Sequence, residues 1–380
     1  MSTLDGSDVA TLRRLNSRLL LAALQPSQPS RTVSELARTT KLSRPTVEAS
    51  LASLVTEGWV REQPPAQTRH RAGRPAKRYA FDAARRIVLG VDLGPHGVTV
   101  EVADLRGESL SVVHSDEIDL TQASVAFRET QDAVHRAVAD AGVSLESVIC
   151  ATFGIPGVVS DSGDVVRTTV VPGWMGPDLI RGLGRLLPGV RVFVENDAKL
   201  AALAEQEWGH ARGVRSAVCL LVGHRLGASV ITQGSLLRGS HGAAGEIGAL
   251  PSTLWGFACR HLNDSGDDPA AVFARADSGD HRASMAVDAF VAELATGLAV
   301  LCLAVDPEVV IVGGGVAAAG AALLDRLEVA LRPLVLFEPE IEVSSLERVV
   351  VRGAVARSLS FVRHELLDLS VASGLPGFPS

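Results

Sequence analysis

Apolar residues recur three and four positions apart from the start of the chain. Leu12, Leu15, Leu19 and Leu20 predict a first helix running to about Leu24. The segment "QPSQPS" then breaks the chain with two prolines. In "VSELARTT", Val33, Leu36 and Ala37 share one face and predict a second helix. In "KLSRPTVEASLASLVTEGWV", Ser43 suits an N-cap and Pro45 falls in the first turn, where its missing N–H costs little. Val47, Leu51, Leu54 and Val55 form the stripe of a third helix, Gly58 ends it, and Trp59-Val60 opens a strand. Helix, turn, helix and hairpin make the plan of a winged helix-turn-helix.

From Arg86 the period changes. "RIVLGVDLG", "GVTVEVADL" and "ESLSVVHSDEIDL" alternate as strands, and "VAFRETQDAVHRAVADAG" is a helix with Val125, Ala133, Val134, Ala137 and Val138 on its apolar side. "SVICATFGIPGVV" and "VRVFVEND" read as strands, and "AKLAALAEQEWG" as a helix ending at Gly209. The plan then repeats: strands in "SAVCLLVG" and "ASVITQGSLLRG", a long apolar helix in "MAVDAFVAELATGLAVLCLAVD", and a buried strand in "EVVIVGGG". "IEVSSL" and "VVVRGAVA" are predicted to close the sheet. Two such α/β halves, each with a glycine-rich turn, describe an actin-like (ribonuclease H-like) two-lobed domain. A doubly wound sheet would place a helix, not a hairpin, after the first strand. The predicted division is 1–82 for an α+β winged helix-turn-helix with a basic wing, and 83–380 for the body. The body's lobes are about 83–195 plus the C-terminal helix, and 196–355.

Charge sharpens the division. Residues 1–86 carry 15 Lys and Arg against 7 Asp and Glu, and the rest carries 21 against 36. A basic head on an acidic body suits a head that meets a polyanion, here double-stranded operator DNA. Ser43, Arg44 and Thr46 occupy the exposed first turn of the third helix, where Arg44 can reach a guanine edge or a phosphate. The wing "RHRAGRPAKRYAF" adds Arg69, Arg71, Arg74, Lys77 and Arg78, with His70, and Gly73-Arg74-Pro75 suits a narrow minor groove. The plain alternative is a solvated linker. The four scattered cysteines suit free thiols in a reducing cytoplasm, and the N-terminus has no basic start leading into an apolar export core. No apolar run is expected to span a bilayer, so no membrane partner is expected.

The ordered motifs "GVDLG", "GIPGVV", "VENDAKLAALAE", "GEIGAL" and "VVIVGGG", following the wing, resemble the ROK family (repressors, open reading frames, kinases) over residues 10–370. The resemblance implies a cytoplasmic regulator, a homodimer or dimer of dimers, whose body senses a sugar or sugar derivative. Asp197 matches the kinase base, while Asn196, Asp197 and Glu246 match sugar contacts. A helix cap is the plainer reading of Asp197. His261 falls near a further sugar contact. The family's zinc ligands are reduced to Cys259 and His261, with Ala249 where a histidine is expected, so no zinc and no other cofactor is expected. Both phosphate loops depart from the family. The first reads Asp92-Leu93-Gly94-Pro95-His96-Gly97, in which Pro95 has no N–H to donate. The second reads "GHRLGAS", with Gly223 and Gly227 kept but His224, Arg225 and Ser229 in place of Thr, Gly and Gly. Gly313, Gly314 and Gly315 resemble the adenine-side turn. A sugar-responsive regulator without kinase activity is expected. A sugar kinase with a DNA-binding appendage and a ligand-blind regulator are the alternatives.

Overall fold

A computed structural model describes residues 6–24, 30–64, 76–94, 97–116, 122–168, 174–223, 225–249, 255, 258–263 and 268–366. The chain opens with α1 (Gly6–Ala23), β1 (Arg31–Thr32), α2 (Val33–Thr40), α3 (Arg44–Glu57), β2 (Val60–Gln63) and β3 (Arg78–Phe81). A capping box starts α2: Glu35 N donates to the Thr32 hydroxyl at 3.2 Å, and Thr32 N donates to the Glu35 carboxylate at 2.7 Å. At the start of α3, Thr46 N donates to the Ser43 hydroxyl, and Gly58 closes the helix at φ 79°. The strands pair antiparallel in the order β1-β3-β2, which completes a winged helix. The apolar row of α1 is only partly used. Leu12 (49% exposed) and Leu15 (52%) face outward with Leu19, while Leu20, Leu21 and Leu24 enter the core.

That core is shared with the body. Leu20, Leu36, Leu51 and Phe81 pack in one cluster with Val88, Leu105, Val355 and Leu359. Asp82 N donates to Trp59 O at 2.9 Å, Leu105 N to Ala83 O at 3.2 Å, and the Arg86 guanidinium lies 4.1 Å over the Trp59 ring. The head is therefore packed onto the body at the 82/83 junction.

The first lobe holds β4 (Ile87–Gly94), β5 (Gly97–Asp104), β6 (Ser109–Ser115), α4 (Ala123–Asp140), β7 (Val148–Ile155), the short β8 (Val158–Val159) and β9 (Val165–Arg167), α5 (Asp178–Leu186) and β10 (Arg191–Asn196). On α4, Ala126 is buried and Val125 only partly so. The second lobe holds α6 (Asp197–Trp208), β11 (Ala217–Val222), β12 (Leu226–Thr232), β13 (Ser235–Leu236), α7 (Ala258–Asn263), α8 (Pro269–Asp277), α9 (His281–Val305), β14 (Val309–Gly313), α10 (Ala321–Leu331) and β15 (Glu340–Val343). The sheets run β10-β7-β4-β5-β6 and β13-β12-β11-β14-β15. Each is an antiparallel meander continued by two parallel strands, one plan used twice.

Two expectations change. "VVVRGAVA" is not a strand but the first eight residues of α11 (Val349–Phe361). Its β-branched run favours a strand locally, but α11 packs between the first sheet and α6, and a helix apolar on every side is a buried helix. A Cβ on Gly353 would lie 1.8 Å from Leu200 O, so α6 and α11 cross backbone to backbone. A lobe boundary at 355 would cut this helix. Secondly, α9 is long and apolar enough to cross a bilayer by composition, but more than half of that stretch is buried in the second lobe's core against β11 and α7, α8 and α10.

Candidate functional site

The lobes enclose a cleft of about 1000 Å³, walled by Asp92, Asp197, Arg225, Gly314, Leu346 and Val350 among others. β4, β7 and β10 run parallel, so Asp92 near the end of β4 and Asp197 just past the end of β10 reach the same carboxyl edge of the first sheet. Open α/β sheets bind ligands at such edges. Burial pushes the Asp92 carboxyl up to about 7, and the nearby Asp197 charge pushes in the same direction. Burial likewise pushes Asp197 up to about 6, opposed by the Ala198 N–H and reinforced by the charge of Glu246.

A carboxyl with a raised folded-state pKa opposes folding once it ionises. The penalty is absent below the ordinary value of 3.8 and complete above about 7 for Asp92. Asp92→Asn is therefore expected to stabilise the protein by up to about 4 kcal/mol at pH 8 and by only about 0.5 kcal/mol at pH 4. Urea unfolding of both proteins at the two pH values checks this, and an equal difference at both would refute it.

Asn196, not Asp197, caps α6. Its Oδ1 accepts from Lys199 N at 2.9 Å, and its Nδ2 donates to Gly157 O at 2.9 Å and to Asp197 Oδ1 at 3.1 Å. Ala198 N also donates to Asp197 Oδ1, at 2.8 Å. Asn196 thus aims Asp197. Glu246 is brought electrostatically close to Asp197; burial raises its pKa, and Lys199 and Arg167 oppose that rise. Asn196, Glu246 and His261 are not among the cleft-lining residues; the His261 Nε2 lies 3.0 Å from a Glu293 oxygen on α9.

The sequence reading missed two buried charges. Lys199 is 0% exposed, donates from Nζ to Gly242 O at 2.8 Å, and burial lowers its pKa. In "NDAKLAAL" it reads as an ordinary surface lysine of a helix. Glu195 is 2% exposed and accepts from Arg238, which also donates to Asp161 at 2.8 Å. The "END" motif hid this acid behind its neighbours.

The phosphate-loop residues separate. Pro95, His96 and His224 lie outside the described residues. Gly94, Gly223 and Arg225 line the cleft. Gly227 makes room for α6, since a Cβ there would lie 2.9 Å from Ala198 Cβ. Ser229 is fully buried and donates to Ala198 O at 2.9 Å. Gly314 lines the cleft in a turn at φ 87°, where a Cβ would lie 2.4 Å from Val222 O, while Gly313 sits behind it on β14.

In the head, Ser43 and Arg44 are exposed on the first turn of α3, and the Ser43 and Thr46 hydroxyls lie 2.7 Å apart. Lys77 is exposed and bonds Glu62 at 2.9 Å. Arg78 serves as a tie rather than a free wing cation: it bonds Ser30 and lies 3.6 Å from Glu35 in the α2 capping box. Arg69, Arg71 and Arg74 lie outside the described residues.

The ROK family pattern matches residues 88–260 and 263–356, and the MarR family pattern matches residues 15–71. The xylose repressor of Caldicellulosiruptor bescii is 23% identical, with 92% of this chain and 96% of the repressor aligned. The glucokinase of Thermotoga maritima is 27% identical over 63% of this chain and 85% of the kinase. Among solved structures, a ROK family transcriptional regulator homologous to the E. coli MLC protein superposes with a TM-score of 0.69, covering 95% of this chain and 98% of that one at 20% identity. A Streptomyces griseus ROK glucokinase, solved with glucose and AMPPNP, gives 0.58 over 72% and 98% at 25% identity. The chain belongs to the ROK family and carries a MarR-type winged helix in front of its ROK domain.

Proposed function

We propose that the chain is a sugar-responsive transcriptional regulator, a repressor of carbohydrate-utilisation functions acting on DNA in the cytoplasm. The observation that carries this reading is the shared core. The winged helix with Ser43 and Arg44 exposed packs directly on the lobe that presents Asp92 and Asp197. A ligand that draws the lobes together moves α6 and α11, and Val355 and Leu359 of α11 touch the head's core. Such a ligand shifts the equilibrium only by its preference for one lobe arrangement. The xylose repressor aligns over head and body alike, which supports this reading over a free-standing kinase.

The sugar is read by Asp197, aimed by Asn196, and by Glu246. Kinase chemistry is read as lost because Pro95 removes an amide from the first phosphate loop and His224 replaces a small hydroxyl residue in the second. Two copies are expected to pair, matching a two-fold operator. Exposed Val300, Leu303, Val329, Leu336 and Phe337, on and beside α9 and α10, offer an apolar face for that pairing.

Fluorescence anisotropy on the DNA upstream of the chain's own coding region tests the reading. Titration with D-xylose, D-glucose and their phosphates is expected to weaken DNA binding about tenfold with one of them. Glu246→Ala is expected to abolish the response and keep DNA binding. A coupled ADP-release assay over the same sugars is expected to show no turnover. ADP release abolished by Asp197→Ala would instead establish the kinase.

A further inference from the structure

The family resemblance implies a zinc in the segment after Glu246. The residues here do not fit that metal. Ala249 offers no donor. The Cys259 thiol is 2% exposed inside the apolar cluster of Leu262, Phe290 and Leu294, and the His261 Nε2 is engaged by Glu293. Tetrahedral zinc needs about four such donors.

A different fastening occupies the place. Trp255 is 1% exposed and packs against α9 at Gly297, where a Cβ would come within 2.4 Å of indole Cδ1 and Nε1. Only glycine leaves that notch open. One turn earlier, the Leu294 carbonyl accepts the indole N–H at 3.0 Å. Beside it, Glu293 holds His261 at 3.0 Å, and the other Glu293 oxygen is buried with no partner. Glu293, Leu294 and Gly297 thus present one face of α9 to both anchors. Ile247, next to Glu246, packs on the same cluster as Trp255 and Leu262.

We propose that Trp255 seated in the Gly297 notch, with the His261–Glu293 pair, is a metal-free clasp that fixes Trp255 and α7 on α9, on the cluster against which Ile247 packs, and so positions Glu246. The claim that Glu246 then meets the effector rests on the function proposed above; the clasp itself does not. Trp255 and His261 are positioning residues, which act on the ligand through Glu246.

The test uses the full-length protein. Elemental analysis is expected to find zinc well below one per chain, and a chelator is expected to leave the melting temperature unchanged. In Trp255→Phe, which keeps bulk but loses the N–H, and in Gly297→Ala, backbone amides of residues 258–263 are expected to exchange about tenfold faster, the loss of one buried hydrogen bond. Calorimetric affinity for whichever of D-xylose or D-glucose binds the parent is expected to fall about tenfold in both variants and in His261→Ala. It is expected to return in His261→Gln, with sugar-free DNA affinity unchanged throughout. That split separates positioning from general destabilisation. Stoichiometric zinc whose removal lowers the melting temperature would overturn the clasp. So would unchanged exchange in Trp255→Phe and Gly297→Ala, or sugar affinity that ignores all three variants. If neither sugar binds the parent, the effector reading of Glu246 fails, while zinc content and exchange still decide the clasp.

Discussion

Arg238→Ala is expected to destabilise the protein by about 3–5 kcal/mol, a large part of a typical folding free energy of roughly 5–15 kcal/mol. The reason is the acid left behind. Glu195 is 2% exposed, and its charge is met by Arg238 and by the Asn196 N–H at 3.0 Å. Removing the guanidinium strips a buried carboxylate of its bonded cation, leaving the Asn196 N–H and the neighbouring charges of Lys199 and Arg357, and breaking a buried ion pair is among the costliest single changes. Burial alone would lower the Arg238 pKa, but Glu195 and Asp161 together raise it, so the cation persists at any working pH. The pair also spans the lobes: Glu195 ends a strand of the first sheet, and Arg238 follows β13 of the second. Urea unfolding measures the effect. Arg238→Met with Glu195→Gln is expected to recover part of the loss, because the carboxylate that lost its bonded cation is gone, while Lys199 and Arg357 give up a counter-charge. Arg181→Ala, which removes an exposed pair with Asp178 at 4.0 Å, is expected to change stability by less than about 0.5 kcal/mol. Equal losses in Arg238→Ala and Arg181→Ala would refute the argument.

Much of this architecture is legible in the sequence because local signals and the fold agree. Ser43, Pro45 and Gly58 bracket α3 as the caps require, and the alternation around Asp92 gives a strand that enters a hairpin. Reading fails where tertiary contacts override local preference. The valines of α11 favour a strand, but a helix buried between α6 and the first sheet selects for apolar residues, not for helix formers. At the site, the order of motifs places Asp197 and Asp92 on one edge of a sheet. It cannot tell which member of "END" caps the helix, nor that Lys199 and Glu195 are buried, since a charge in sequence carries no mark of its exposure. The partner of His261 was hidden for another reason. Glu293, which holds it, lies more than thirty residues away, and no local pattern links the two.

DNA affinity is expected to fall by about 10³-fold or more when salt rises from about 50 to about 200 mM, the loss for a protein that neutralises at least six phosphates. The 15 Lys and Arg of residues 1–86 overstate what is free to do so. Arg78 is tied to Ser30 and Glu35, Lys77 to Glu62, and Arg86 lies on Trp59 and donates to Glu57 O. The remaining cations of the two heads that the proposed pairing would bring together still suffice for that number. The structure also divides their roles. Arg44 stands exposed at the first turn of α3, so Arg44→Ala is expected to cost about 1–3 kcal/mol on the operator and less on unrelated DNA, narrowing the difference between them. Arg78→Ala is expected to lower the head's melting temperature and leave the salt slope unchanged, because its charge already answers Glu35. Anisotropy titrations across a salt series, on operator and unrelated duplexes, measure all three. A salt-independent affinity would remove the polyanion from the account. An Arg78→Ala slope shallower by about one would return Arg78 to the DNA-contacting set.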